Sequence, residues 1–128
     1  TPLRPLFIIL YYMSTKQKEK IKIIGVEPKS SPLISEGVSG AHKIQGIGAN
    51  FIPQNYDASI VDEVTTITEE EAYDCVKLLA RKEGVLAGIS SGASLSSAIK
   101  LAKTLKNKTI VVILPDTGSR YISTDVFD

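Results

Sequence analysis

Apolar residues cluster along this chain in segments that favour short strands separated by helices. Residues 21–27 are rich in β-branched side chains and end at Pro28, which predicts a strand whose carboxyl end opens into a loop. Residues 62–67 predict a second strand, and residues 85–89 predict a third, short one. The continuous apolar segment 109–114 is typical of a strand that is buried on both faces.

Two helices are expected between these strands. The first has Thr68 and Glu71 as a capping box and Gly84 as its C-terminal stop, and the second covers about residues 93–105. The apolar face of the first helix comprises Ala72, Cys75, Val76 and Leu79. Cys75 is therefore interpreted as a core residue. The alternation of strands and helices predicts an α/β fold with a parallel sheet and flanking helices.

Three irregular segments fall at the carboxyl ends of predicted strands, where parallel sheets bind their ligands. They are the loop after Glu27, the turn at Ser90 and Ser91, and the turn at 116–118. Residues 28–40 are expected to be irregular, and residues 42–53 to form a functional or tightly packed loop rather than a regular element. We expect the three segments to converge on one pocket.

Composition limits the possible functions. The chain has 128 residues, enough for one modest core, and its 15 Lys and Arg against 14 Asp and Glu create no field that attracts nucleic acid or membranes. The apolar run at residues 6–13 is too short to span a bilayer. One cysteine and one histidine exclude a structural zinc site, and a single cysteine suits a reducing compartment such as the cytoplasm.

Gly88, Ser90 and Gly92 have the spacing of a hydrolase nucleophile elbow. That chemistry needs a histidine base after the serine, whereas the one histidine of this chain, His42, precedes it. The turn at Ser90 is therefore predicted to serve a reaction other than acyl transfer.

Five motifs in register over residues 21–127 resemble the C-terminal half of the cysteine synthase (O-acetylserine sulfhydrylase) family, pyridoxal 5′-phosphate (PLP) enzymes of fold type II, the tryptophan synthase β-like fold. The motifs occupy residues 24–28, 42–53, 69–73, 88–93 and 112–121. The resemblance implies that residues 21–128 are the C-terminal part of the PLP-binding α/β domain, after a divergent segment 1–20.

The same resemblance implies that Ser90 hydrogen-bonds the pyridine nitrogen of PLP. A serine hydroxyl is too weak an acid to protonate the ring, and a neutral ring favours elimination of a β-substituent over transamination. The alternative is that Ser90 only caps the helix that follows it.

A loop at the mouth of the active site is also implied. It would contact the substrate or the C-terminal tail of serine acetyltransferase, with His42 and Lys43 as candidate tail contacts, and the complete enzyme would be a homodimer. The loop residues are His42, Lys43, Gln45, Gly46, Ile47 and Gly48.

The activity implied is replacement of the acetoxy group of O-acetyl-L-serine by sulfide to give L-cysteine. Two alternative reactions are β-cyanoalanine synthesis and cystathionine synthesis. A third alternative is a truncated, non-catalytic relative that acts as a binding or regulatory protein. In the family, the Schiff-base lysine and the phosphate-binding loop lie in earlier sequence, and no lysine of this chain matches that position. No catalytic residue is therefore assigned, and the segment alone is expected to be inactive.

Overall fold

The computed structural model describes residues 21–121, 123 and 126. Segment 1–20 lies outside the described residues, so the domain boundary at residue 21 stays a prediction. The elements are β1 (Ile24–Pro28), α1 (Leu33–Glu36), β2 (Glu63–Ile67), α2 (Glu69–Glu83), α3 (Ile89–Ala102) and a 3₁₀ turn (Gly118–Tyr121). β1 and β2 pair in parallel, with Ile24 opposite Glu63 and Pro28 opposite Ile67. This parallel pair, with α3 packed on it and α2 packed on α3, confirms the predicted α/β class.

Helix α2 forms as its sequence predicts. The Thr68 hydroxyl accepts a hydrogen bond of 3.2 Å from the Glu71 amide, and the Glu71 carboxylate accepts one of 2.8 Å from the Thr68 amide. Gly84 ends the helix in the left-handed conformation, at φ 67°, and donates to Ala80 O. Cys75 is buried in the core, and desolvation raises the pKa of its thiol.

The prediction for α3 was wrong at its start. The helix begins at Ile89, four residues before the expected position, and ends at Ala102. Of the predicted strand 85–89, only an antiparallel bridge between Ala87 and Thr117 is present in the described part of the chain. Ile89 is buried as the first helical residue, because its side chain joins the core from the helix rather than from a sheet.

The predicted strand at 109–114 is also wrong. This segment has no regular structure, and Val111 is 81% exposed. A buried strand needs neighbouring strands for its backbone hydrogen bonds, and β1 and β2 pair with each other, not with this segment. A smaller difference is the one-turn helix α1, which lies within the region 28–40 that was expected to be irregular.

The core lies where α2 packs against α3. Gly92 of α3 sits directly against the carbonyl oxygen of Ala72, and the Cβ that it lacks would also fall 2.6 Å from a methyl of Val76. Thr65 of β2 and Ser97 of α3 share a hydrogen bond of 2.8 Å, which ties the helix to the sheet. The first turn of α3, which contains Ser90, is thereby held at one place. No helix among residues 21–121 is long and apolar enough to cross a bilayer.

Candidate functional site

Ser90 lies in the first turn of α3 and is 2% exposed. The cap position of the helix is Gly88, and no side chain forms a capping hydrogen bond there. The alternative in which Ser90 serves as the cap is therefore wrong, since the serine lies two residues inside the helix. Its hydroxyl is buried at a helix end, where the first backbone N–H groups have no partner within the helix.

Asp116 packs onto the same helix end. Its backbone oxygen accepts from the Gly88 amide at 3.4 Å, and its carboxylate accepts from the Tyr121 hydroxyl at 2.7 Å. The Ser91 hydroxyl reaches the other carboxylate oxygen at 3.5 Å. A Cβ at residue 88 would overlap the Asp116 carboxylate and lie 2.5 Å from the Tyr121 ring. Gly88 is required because these groups occupy the space of a side chain.

The loop at residues 42–48 lies against Ser90. Ile44 is fully buried in the core and Ile47 packs against it from a half-buried position, whereas Lys43, Gln45 and Gly46 are exposed. Gly46 adopts φ 96°, and a Cβ there would be 3.2 Å from Ser90 Oγ. The Lys43 amide donates to the Glu69 carboxylate at 2.7 Å. The loop is thus anchored at α2 and at the core while its glycine faces the serine.

His42 joins the two ends of this loop. The Ile44 amide donates to His42 Nδ1 at 3.2 Å, and His42 Nε2 lies 2.7 Å from Gly48 O. Gly48 has φ 61°, and a side chain there would overlap the imidazole ring and lie 2.7 Å from the ring of Pro28 at the end of β1. The three predicted segments therefore meet: Pro28 contacts the loop, the loop contacts Ser90, and Asp116 contacts the Ser90 turn. That these adjacent segments line one ligand pocket stays a prediction.

Two neighbouring features were not anticipated from the sequence. Glu27 is 3% exposed, and its carboxylate accepts hydrogen bonds from the amides of Ile34 and Ser35 and from the Ser35 hydroxyl. Burial and the nearby Glu27 charge raise the pKa of Tyr56. Asn50 adopts φ 59°, a conformation that asparagine tolerates better than most residues.

A family model described as "Pyridoxal-phosphate dependent enzyme" matches residues 8–116, and the chain belongs to this family. Its curated relatives include cysteine synthase B of Campylobacter jejuni, 52% identical over 109 residues, which cover 85% of this chain and 36% of the relative. Cysteine synthase A of Escherichia coli K12 is 48% identical over 125 residues, covering 91% and 39%. The chain thus spans well under half the length of these relatives.

Solved structures agree with this assignment. The crystal structure of cysteine synthase from Entamoeba histolytica superposes with a TM-score of 0.87 at 39% identity, covering 93% of this chain and 36% of that one. An O-acetylserine dependent cystathionine beta-synthase from Helicobacter pylori superposes with a TM-score of 0.79 at 37% identity, covering 92% and 38%. The fold is that of the fold-type-II PLP enzymes, as the sequence motifs predict.

The Ser90 hydroxyl is a neutral hydrogen-bond donor of the kind that a pyridine nitrogen accepts. Ser90 offers a buried hydroxyl in the first turn of α3, and the backbone of Gly46 lies close to it, since a Cβ at residue 46 would be 3.2 Å from Ser90 Oγ. A side chain at residue 46 would crowd the Ser90 side chain. Ser90 is the residue of this chain that would contact the ring nitrogen, and its hydroxyl carries no charge that would protonate the ring.

Proposed function

We propose that the protein is the C-terminal portion of a cytoplasmic, PLP-dependent cysteine synthase that replaces the acetoxy group of O-acetyl-L-serine with sulfide. The observation that carries the proposal is the placement of the buried Ser90 hydroxyl beneath Gly46 of the loop 42–48. The relatives, named as cysteine synthases, support the same reaction.

In this proposal PLP, when bound, withdraws electrons from the α-carbon of the amino acid, so that the α-proton and the β-substituent can leave. The residues of this chain orient the ring and shape its surroundings. Ser90 donates a neutral hydrogen bond to the ring nitrogen, and Gly46 lets the backbone approach the bound substrate. Lys43 and Gln45, both exposed, lie at the outer surface of the loop, where the tail of serine acetyltransferase would contact it.

The lysine that binds the cofactor covalently and the phosphate-binding loop are proposed to lie outside this chain, so that residues 1–128 alone are inactive. Borohydride reduction of the 128-residue chain after addition of PLP tests this directly. A stoichiometric adduct on one particular lysine would contradict it. The complete enzyme is proposed to be a homodimer.

The experiment for the reaction uses protein expressed from the full reading frame. We expect it to bind PLP and to form L-cysteine from O-acetyl-L-serine and sulfide. Parallel reactions with homocysteine and with cyanide distinguish cystathionine and β-cyanoalanine synthesis. A protein that binds no PLP and forms no product from any of the three nucleophiles would overturn the assignment and favour a partner-binding role.

Cystathionine synthesis is the second candidate. It is supported by the structural likeness to the Helicobacter pylori enzyme, which uses O-acetylserine as well. The two reactions share the amino-acid substrate and differ in the nucleophile. A higher kcat/KM with homocysteine than with sulfide would favour this candidate.

A further inference from the structure

The imidazole of His42 makes two different hydrogen bonds within the loop 42–48. Nδ1 accepts from the Ile44 amide at 3.2 Å, so this nitrogen carries no proton. Nε2 lies 2.7 Å from the carbonyl oxygen of Gly48, which can only accept, so this nitrogen carries the proton. The ring is consequently in its neutral form with the proton on Nε2, and no other protonation state satisfies both partners.

The ring also occupies a space that only glycine leaves available. Gly48 lies between the imidazole and the ring of Pro28, and its φ of 61° suits a residue without a side chain. The hydrogen bond from His42 therefore spans the base of the loop and fixes Gly48 against the end of β1. Ile44, fully buried, fixes the near side of the loop in the core.

Gly46 stands between these two fixed points. Its α-carbon faces Ser90, and a Cβ there would lie 3.2 Å from Ser90 Oγ. With Ile44 held by the core and Gly48 held by the imidazole, the distance of Gly46 from the serine is determined. Loss of the hydrogen bond to Gly48 would release one of the two supports and let Gly46 move.

We propose that His42 is a positioning residue, whose neutral imidazole holds the loop 42–48 so that Gly46 remains at a fixed distance above Ser90. This rests on the proposed function only in that Ser90 and Gly46 are taken to bound the cofactor ring. His42 then acts through the loop backbone and not by touching substrate or a partner, since both of its ring nitrogens are engaged within the loop. A partner that hydrogen-bonded to either ring nitrogen would have to displace the Ile44 amide or the Gly48 carbonyl.

Three variants separate the two hydrogen bonds. His42→Asn places an amide oxygen where Nδ1 stands, and can accept from the Ile44 amide. His42→Gln extends to the position of Nε2, and can donate to Gly48 O. His42→Phe keeps a planar ring and loses both bonds. All three are made in protein expressed from the full reading frame, and thermal melting verifies that each variant is folded.

The first measurement is hydrogen exchange by mass spectrometry on the peptide covering 42–53, without cofactor. We expect exchange in His42→Phe to be about tenfold faster, in line with the loss of two hydrogen bonds, and to be partly restored in His42→Gln. The peptide covering α2 serves as internal control and should be unchanged. Unaltered exchange of the loop in His42→Phe would overturn the proposal.

The second measurement is the imidazole ¹⁵N spectrum of histidine-labelled protein, with the His42 signal identified by its loss in His42→Asn. A signal with the proton on Nε2 is expected, and a proton on Nδ1 would refute the assignment. The third is steady-state kinetics, in which His42→Phe should raise the KM for the amino-acid substrate about tenfold and His42→Gln less. Failure of the wild-type protein to bind PLP would contradict the proposed function, while loop exchange and the tautomer would still decide the role of His42.

Discussion

Gly92 of α3 lies directly against the carbonyl oxygen of Ala72 in α2, with no room for a methyl group between the two helices. The contact is to backbone, which cannot swing aside as a flexible side chain would. Helices α2 and α3 therefore approach each other more closely here than alanine would allow.

Gly92→Ala should destabilise the protein. Helix propensity favours alanine by about 1 kcal/mol, but forcing a methyl against backbone costs more, and we expect a net loss of about 1–3 kcal/mol. Urea unfolding of protein expressed from the full reading frame measures it. A variant as stable as the wild type would show that the helices can separate at no cost.

Gly84→Ala provides the contrasting case. Gly84 has φ 67° and nothing within 4 Å of its absent side chain, so backbone strain alone opposes the substitution. A loss of about 1 kcal/mol is expected, with a smaller loss for Gly84→Asn because asparagine tolerates this conformation. Equal destabilisation by both residues would indicate a steric effect that the structure does not contain.

Glu71 should make stability depend on pH. Lys100 and the Thr68 amide lower the pKa of its carboxyl group in the folded protein. The charged form is thus favoured by folding, so its contribution is present above the unfolded pKa and is lost as pH falls through the folded pKa. In Glu71→Gln, the decrease of unfolding free energy below about pH 5 should be shallower. Glu70→Gln, at an exposed position of the same turn, is the charge-matched control.

Ser90→Asp tests the contact with the ring nitrogen. A carboxylate there would favour a protonated ring, and we expect loss of β-replacement turnover. Ser90→Asn has the same shape without the charge and should retain more activity, while Ser90→Ala should weaken cofactor binding by about 1 kcal/mol. Turnover of Ser90→Asp at the wild-type level, beside an unchanged melting temperature, would refute the cofactor role.

The 128-residue chain produced alone should associate. Val111 is 81% exposed, and the side chains of Leu86 and Leu114 are exposed as well. Apolar surface of this kind promotes self-association. We expect oligomers or aggregates by light scattering, and a larger monomer fraction in Val111→Lys. A monomer with a sharp two-state melting transition would be evidence against this.

Local signals predicted α2 correctly because its limits are encoded in adjacent residues. The side chains of Thr68 and Glu71 each accept a hydrogen bond from the other's backbone amide. Gly84 tolerates the left-handed conformation regardless of what packs around the helix. The start of α3 was missed because serines and a glycine occupy its first turn, and these are poor helix formers away from a helix end.

The strand prediction for residues 109–114 was wrong for a different reason. Its apolar character indicates burial, but burial depends on what packs around the segment, and sequence periodicity does not contain that information. The contacts within the candidate site likewise depend on what packs around each residue. Motif spacing identified Ser90 and the loop 42–48, whereas the contact of Gly46 with Ser90 and the hydrogen bonds of His42 arise only from the folded chain.

Residue 88 couples mutations in two distant parts of the chain. The Asp116 carboxylate and the Tyr121 ring fill the volume that any side chain at residue 88 would need. A larger residue at 88 would therefore be tolerated only together with a smaller one at 116 or 121, so these three positions are constrained to change jointly. Because no free space separates these groups, a displacement of the turn at 116–121 would also move the start of α3, and with it the Ser90 hydroxyl.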